Sequence, residues 1–238
     1  MNFGKTVLPY TGRLFSFSGM RFDIITIFPE IFDSYFKESL LARAQEKKLL
    51  EINVHNLRQW SADAHKTVDD SPFGGGLGMV MKPEPIARAV ESLKIQNSKF
   101  KIILFTPRGK KFTQRKASEY AKLDQLILVC GRYEGVDERV GKYIADEQIS
   151  IGDYDLMGGE LPAMIVVETV ARLIPGVIGK EEFLKEHVQG GGFVEYPQYT
   201  RSEVFEIAGK KRSVPKALVS GDHKKIAEWR AKHGKVIK

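Results

Sequence analysis

Gln125-Leu-Ile-Leu-Val-Cys130 runs directly into Gly131-Arg-Tyr-Glu-Gly135. A short, nearly unbroken apolar run that ends in a glycine-bounded polar loop reads as a strand covered on both faces, as in a parallel sheet. Outward from it, Lys101–Thr106 is a second such run, followed by Thr106-Pro-Arg-Gly109. A weaker run near Tyr143–Ile149 leads into a long glycine-rich loop that ends at Pro162. Upstream, Phe22–Phe28 is β-branched and apolar and is stopped by Pro29, and Glu51–Leu57 is a further strand candidate. Helical patterns fall between them. Glu30–Lys48 carries an apolar stripe of Ile31, Phe32, Tyr35, Phe36, Leu40 and Leu41, and Pro83–Leu93 has proline at its start. Thr113–Leu123 and Leu161–Leu173 follow, the latter ended by Pro175-Gly176. Strands alternating with helices predict an α/β domain with a mostly parallel sheet. Ligands of such sheets bind at the carboxyl ends of the strands, where the three glycine-containing loops lie.

The 238 residues suit one large domain, or a medium one with a small partner. No apolar run approaches the ~18 residues of a membrane span, and no membrane partner is expected. The single cysteine, Cys130, forms no internal disulfide, which fits a reducing compartment and a cytoplasmic location. The formal charge of +7 is unevenly placed: residues 195–238 carry +6 of it, and residues 1–194 only +1. A basic segment on a near-neutral body suggests a polyanionic partner such as RNA. Residues 1–19 lack the apolar core and cleavage site of a secretory signal and are expected to be a disordered extension.

Several chemistries are disfavoured. There is no G-x-x-x-x-G-K-[ST] phosphate loop, and Gly74-Gly-Gly-Leu-Gly78 lacks the spacing of a dinucleotide fingerprint. The five histidines and one cysteine show no metal-ligand spacing, so no metal site is predicted. No Gly-x-Ser-x-Gly elbow is present. A nucleotide-type pocket without a phosphate loop fits an adenosine ligand that lacks phosphates.

Four motifs share one order and spacing from Met20 to about Arg230: Thr67-Val-Asp-Asp-x-Pro-Phe-Gly-Gly-Gly-x-Gly-Met79; Leu128-Val-Cys-Gly-Arg-Tyr-Glu-Gly-Val-Asp-Glu-Arg139; Ser150-Ile-Gly-Asp-Tyr-x-Leu-x-Gly-Gly-Glu-Leu-Pro-Ala-Met164; and Tyr196-Pro-Gln-Tyr-Thr-Arg201 with Ser220-Gly-Asp-His223 behind it. In these the chain resembles the bacterial tRNA (guanine-N1)-methyltransferases. The resemblance implies a SPOUT fold, in which a mostly parallel sheet ends in a deep trefoil knot, followed by a small helical domain. It implies a catalytic domain over 20–178, a linker or lid over 179–193, and a short basic tRNA-binding domain over 194–238. It also implies a homodimer with active sites built from both subunits, and methylation of the guanosine at position 37, just 3′ of the anticodon, with S-adenosylmethionine as donor and magnesium assisting.

By the same resemblance the donor pocket takes Leu104, Thr106, Pro107 and Gly109 from the first loop. Gly131, Tyr133, Glu134 and Gly135 come from the second, and Ile151, Gly152, Tyr154, Leu156, Gly158, Gly159 and Pro162 from the third. His65, Asp69, Phe73, Gly74, Gly75 and Gly78 would meet the tRNA, as would Arg201, and Arg172 would lie near the reacting base. Guanine N1 carries a proton at neutral pH, so the reaction needs a general base and a cation or donors near O6. The family's lid commonly supplies an aspartate in an Asp-Ser-Phe context. Here His187 falls at that position with Glu186 before it, and Val188-Gln189 stands in place of Ser-Phe. Either Glu186 or His187 is the expected base. This altered lid leaves a second expectation, a non-catalytic tRNA-binding protein of the same fold, and the intact loops a third, a methyltransferase for another base or RNA.

Overall fold

The computed structural model describes residues 19–179, 188–189 and 192–237. Its centre is an all-parallel sheet of β1 (Met20–Thr26), β2 (Leu50–Asn56), β5 (Phe100–Lys111), β6 (Gln125–Val129) and β7 (Glu147–Ser150), in the order β2-β1-β6-β5-β7. Both faces are covered, which is why these strands read as unbroken apolar runs. Phe22, Ile24, Leu126, Leu128 and Ile103 point into one core, with Ala163, Val166, Val167 and Val170 of α6 (Glu160–Ala171). Ile25, Ile27, Ile127, Val129 and Leu104 point into the other, with Ile86, Ala89 and Val90 of α3 (Pro83–Leu93).

The strand expected near Tyr143–Ile149 is shorter: Tyr143 closes helix α5 (Glu138–Tyr143) and the strand begins at Glu147. The helix expected over Glu30–Lys48 is broken into a 3₁₀ turn at Pro29–Phe32, α1 (Asp33–Phe36) and α2 (Ser39–Glu46). Glu38 is extended and Ser39 has φ of +52°, so the helix stops and restarts. The break lets Leu41 and Ala44 join Phe32 and Phe36 in the core, while Ile31, Tyr35 and Leu40 of the expected stripe stay exposed. Helix α4 (Gln114–Tyr120) lies within the expected Thr113–Leu123, with the Thr113 hydroxyl accepting from Lys116 N as its cap. Residues 61–80 are loop, as expected, apart from the short antiparallel pair β3 (Asp69–Asp70) and β4 (Val80–Met81).

The C-terminal segment is not purely helical. Beside α7 (Lys216–Val219) and α8 (His223–His233) it holds a hairpin of β10 (Val204–Ile207) and β11 (Lys210–Ser213). Ala208 and Gly209, both at positive φ, make the two-residue turn whose twist matches the strands. An alanine there conceals the turn from a reading that looks for Asn-Gly. β8 (Val188–Gln189), β9 (Gly192–Glu195) and β12 (Lys235–Ile237) form a second small sheet in the order β12-β9-β8, so a strand spans the expected 193/194 boundary. The Asp222 carboxylate caps α8 by accepting from Lys224 N and Lys225 N. The expected disordered extension, residues 1–19, lies outside the described residues except for Gly19. No helix of the described residues is long and apolar enough to cross a membrane.

Candidate active site

Neighbouring strands β6, β5 and β7 place their carboxyl ends side by side, and a cleft of about 420 Å³ opens there. The first wall is a bulge inside β5. Phe105 and Lys110 both register against Ile149, so residues 106–109 leave the ladder and arch over the cleft. The expectation of a loop after the strand is corrected here: the strand resumes past the loop, because β7 offers hydrogen-bonding partners on both sides of it. Gly109 is required for space. A Cβ on it would stand 2.5 Å from Ile149 N and 2.6 Å from the Gln148 carbonyl carbon.

The second wall, residues 131–135, is a tight loop with Tyr133 at φ +61° and Gly135 at φ +118°. The third, residues 150–159, begins with Ser150 Oγ donating to Gly152 O at 2.8 Å. It ends with Gly159 N donating to Gly131 O at 2.9 Å. That bond brings the start of α6 onto the second loop so closely that a Cβ on Gly159 would lie 2.6 Å from Cys130 Cα. Burial, with the Glu160 carboxylate nearby, pushes the Cys130 thiol well up, so it is a packed, inert group beneath the cleft.

Of the residues expected to hold a donor, Leu104, Thr106, Pro107, Gly131, Tyr133, Glu134, Gly135, Ile151, Tyr154, Leu156, Gly158, Gly159 and Pro162 line this cleft. Gly109 and Gly152 are not on its wall. Gly109 abuts β7, and a Cβ on Gly152 would meet the Tyr154 ring at 2.3 Å, so both shape the loops from behind. The sequence reading missed Arg132, Val136, Gln148 and Met157, which also line the cleft. Arg132, Val136 and Met157 lie inside the quoted motifs, and Arg132 forms an ion pair with Glu160, which only the fold brings near.

The glycine-rich loop before β4 is stitched to the second wall. Glu134 N donates to Met79 O, Met81 N to Gly135 O and Asp137 N to Met81 O, each at 3.0 Å. Gly78, at φ +81°, has Glu134 Cγ where its Cβ would be, 2.7 Å away. Phe73 and Leu77 stand fully exposed on this loop, near Gly74 and Gly75. Asp63 organises the preceding turn, which carries His65. It accepts from Thr67 N at 3.1 Å and from Ser61 Oγ at 2.9 Å, and these bonds, the Thr67 backbone first, hold its carboxyl at about 2. Asp69 lies on β3.

Arg172 is exposed at the C-terminal end of α6 and does not line the cleft. Ten residues of helix separate it from Pro162, an axial distance of ~15 Å. It shares an exposed stripe with Leu161, Ile165 and Glu168, at i, i+4, i+7 and i+11. Phe28 and Ile31 are exposed on the neighbouring segment, and the Tyr35 hydroxyl bonds Glu168. Glu186 and His187 lie outside the described residues. Arg201 is remote from the cleft in sequence and lines a separate hollow with Tyr196, Tyr199 and Arg230. No group of three or more His, Cys, Asp or Glu suited to a metal occurs among the described residues.

An α/β domain that gathers three glycine-bearing loops around a nucleoside-sized cleft, at the carboxyl ends of adjacent parallel strands, is the architecture of a nucleotide-ligand enzyme rather than of a phosphate-loop protein. Residues 20–236 match the family described as tRNA (Guanine-1)-methyltransferase TrmD, and the chain belongs to that family. A tRNA (guanine-N(1)-)-methyltransferase of Dictyoglomus turgidum is 54% identical over 213 residues, covering 90% of this chain and 84% of the relative. Proteins of the same name from Citrifermentans bemidjiense and Geobacillus kaustophilus are 49% and 50% identical over 213 residues. Each covers 90% of this chain, against 84% and 86% of those relatives.

Proposed function

We propose that this chain transfers a methyl group from S-adenosylmethionine to N1 of guanosine 37 in tRNA, acting as a homodimer. The observation that carries the proposal is the convergence of the three motif loops on one cleft at the ends of β6, β5 and β7. The relatives are named as methyltransferases, which favours catalysis over tRNA binding without turnover. The cleft suits the donor's nucleoside. Its volume falls in the range of small-ligand sites, and its walls are glycine backbone with Leu104, Ile151, Leu156 and Tyr154. The sequence has no G-x-x-x-x-G-K-[ST] phosphate loop. The trefoil knot of the SPOUT fold is part of this reading and is supported by the family match over residues 20–236.

The donor supplies an electrophilic methyl. The protein's part is to orient it, to hold guanine N1 in line with it, and to take the N1 proton. Orientation falls to the three loops and is worth several kcal/mol of barrier when reacting atoms are held in line. The glycine-rich loop, with His65, Asp69, Phe73, Gly74, Gly75 and Gly78, meets the target guanosine and its neighbour. Its exposed Phe73 offers a ring on which a base can stack. Arg172 faces the developing charge on O6, and Glu186 or His187 of the lid takes the proton. Within one chain Arg172 is a helix length from the cleft. A two-fold contact that buries the apolar stripe of Phe28, Ile31, Leu161 and Ile165 would carry it toward the partner, which is why the site is assigned to both subunits. The catalytic unit is residues 20–178, the lid 179–193, and the basic unit 194–238, with Arg201, holds the tRNA. Magnesium finds no cluster of ligands among the described residues, and no step here runs through it.

The test is transfer of labelled methyl to an unmodified tRNA transcript bearing guanosine 3′ of the anticodon, with digestion to nucleosides. Wild type should yield 1-methylguanosine. Arg172→Ala should lose roughly 10²–10³ in kcat, as when a transition-state donor is removed. One of Glu186→Ala and His187→Ala should be inactive. Bound tRNA without transfer by wild type, or a product other than 1-methylguanosine, would refute the proposal.

A further inference from the structure

Arg132 and Glu160 join the second and third walls of the cleft to the end of β1. Arg132 donates from Nε to Glu160 Oε2 at 2.9 Å and from Nη1 to Met157 O at 3.3 Å. Its guanidinium carbon lies 4.8 Å from the centre of the Phe28 ring. Glu160 is 1% exposed, and its other oxygen accepts from Thr26 Oγ1 at 2.7 Å. That hydroxyl accepts in turn from Phe28 N at 3.0 Å. Glu160 opens α6, where the free N–H groups of the first turn favour a carboxylate. Position 158 is kept clear for the pair: a Cβ there would stand 2.4 Å from Arg132 Nε and 2.6 Å from Glu160 Oε2.

We propose that Arg132 and Glu160 are the positioning pair of the donor site, fixing the second wall against the third at the separation the donor requires. The proposal rests on the reading of the cleft as the S-adenosylmethionine site. A buried ion pair is poor evidence for stability, since apolar residues of similar shape often serve as well. What this pair adds is direction. The planar fork of Arg132 is committed at Nε and Nη1 to residues 157–160 and on its face to Phe28, two segments that only the fold brings together. Its effect on the ligand therefore runs through the loops.

The full chain is compared with Arg132→Lys, Arg132→Met, Glu160→Gln and the double variant Arg132→Met/Glu160→Gln. Readouts are S-adenosylmethionine titration calorimetry, steady-state kinetics with both substrates, and thermal unfolding. Each single variant should raise the donor Kd and donor KM about tenfold or more, with kcat at saturating donor and the KM for tRNA within about twofold, and the double variant should be no worse than the worse single. Arg132→Lys keeps the charge but not the fork, so it should fail like Arg132→Met, and it carries the test if the methionine variant does not fold. An unchanged donor Kd in a folded variant, losses that simply multiply in the double, or a fall in kcat with donor Kd intact would each overturn the pair's role. If wild type itself binds no S-adenosylmethionine, the reading of the cleft falls, and this proposal with it.

Discussion

Gly109→Ala tests the first wall directly. The added Cβ would sit 2.5 Å from Ile149 N and 2.6 Å from both the Gln148 and Ile149 carbonyl carbons, where ordinary contact begins at 3.4 Å. The deficit is therefore about 1 Å against backbone, and no side-chain rotation relieves it. Gly109 has no positive φ, so the cost is purely one of space. Overpacking of this kind costs ~1–3 kcal/mol, and a backbone neighbour places it at the upper end. For a domain of this size ~3 kcal/mol lowers Tm by roughly 6–12 °C. The clash lies between the bulge and β7, so relief must lift residues 106–109 away from the cleft. Donor affinity should then fall about tenfold or more beyond the loss of stability. Differential scanning calorimetry reads the first quantity and titration with S-adenosylmethionine the second. Gly179→Ala is the control for stability, because nothing among the described residues lies within 4 Å of that Cβ and its φ is ordinary. It should stay within about 0.5 kcal/mol of wild type. A Gly109→Ala protein with wild-type Tm and wild-type donor affinity would refute both the steric account and the assignment of the bulge to the donor site.

If each active site takes its cleft from one subunit and Arg172 from the other, Arg172→Ala and Gly109→Ala complement each other. Mixed and refolded at equal concentrations, and assayed at a donor concentration well below Kd, where Gly109→Ala alone keeps about a tenth of wild-type turnover or less, they should recover roughly a quarter of wild-type turnover, because half the dimers then hold one intact composite site; no recovery from a mixture that forms heterodimers would place the whole site in one chain. Burial acts to raise the Glu147 carboxyl, but hydrogen bonds from Lys101, Lys116 and Tyr120 outweigh it and hold it at about 2, against an ordinary 4.5. Stability from this group is complete above pH 4.5 and is lost as pH falls toward 2, so urea midpoints should drop through that window in wild type and less steeply in Glu147→Gln. Asp23, held low by His55, Arg21 and Gln125 against its own burial, adds to the loss in the same direction. On the exposed hairpin, replacing Lys210, Lys211 and Arg212 by alanine should weaken tRNA binding at low salt and reduce the slope of log K against log salt by about 2–3; filter binding across a salt series with an unchanged slope would show that this strand does not touch the RNA.

The central strands were legible because burial on both faces leaves an apolar run that no turn interrupts. β6 is expected over Gln125–Cys130 and found over Gln125–Val129, and α3 is found where proline at its start places it. Legibility failed where a local pattern depends on a distant partner. Thr106-Pro-Arg-Gly109 reads as the end of a strand, since proline and glycine punctuate it. Only the pairing of both Phe105 and Lys110 with Ile149 turns it into a bulge within a longer strand. The Ala208-Gly209 turn was hidden for a different reason, because a left-handed alanine is rare enough to be discounted.

The site divides along the same line. Motif loops that follow strand ends could be assigned to a cleft from order alone, and most of their named residues line it. The sequence shows a glycine but not its purpose, and the purposes differ. Gly135 and Gly78 serve backbone conformation at positive φ, whereas Gly109 and Gly159 have ordinary φ and exist so that two backbones can touch. At Gly78 any Cβ would also have to displace the Glu134 side chain, and at Gly135 φ of +118° lies beyond the left-handed region that asparagine reaches, so the first kind predicts backbone strain with every replacement. The second predicts that no side chain is tolerated at all. Arg132 and Glu160 show the limit most plainly. Each stands inside a quoted motif, but twenty-eight positions apart, and their pairing becomes visible only when Gly159 draws the start of α6 onto the loop after β6. Arg172 lies further out of reach: it is exposed at the end of α6, off the cleft of its own chain, and the role proposed for it rests on the proposed two-fold contact.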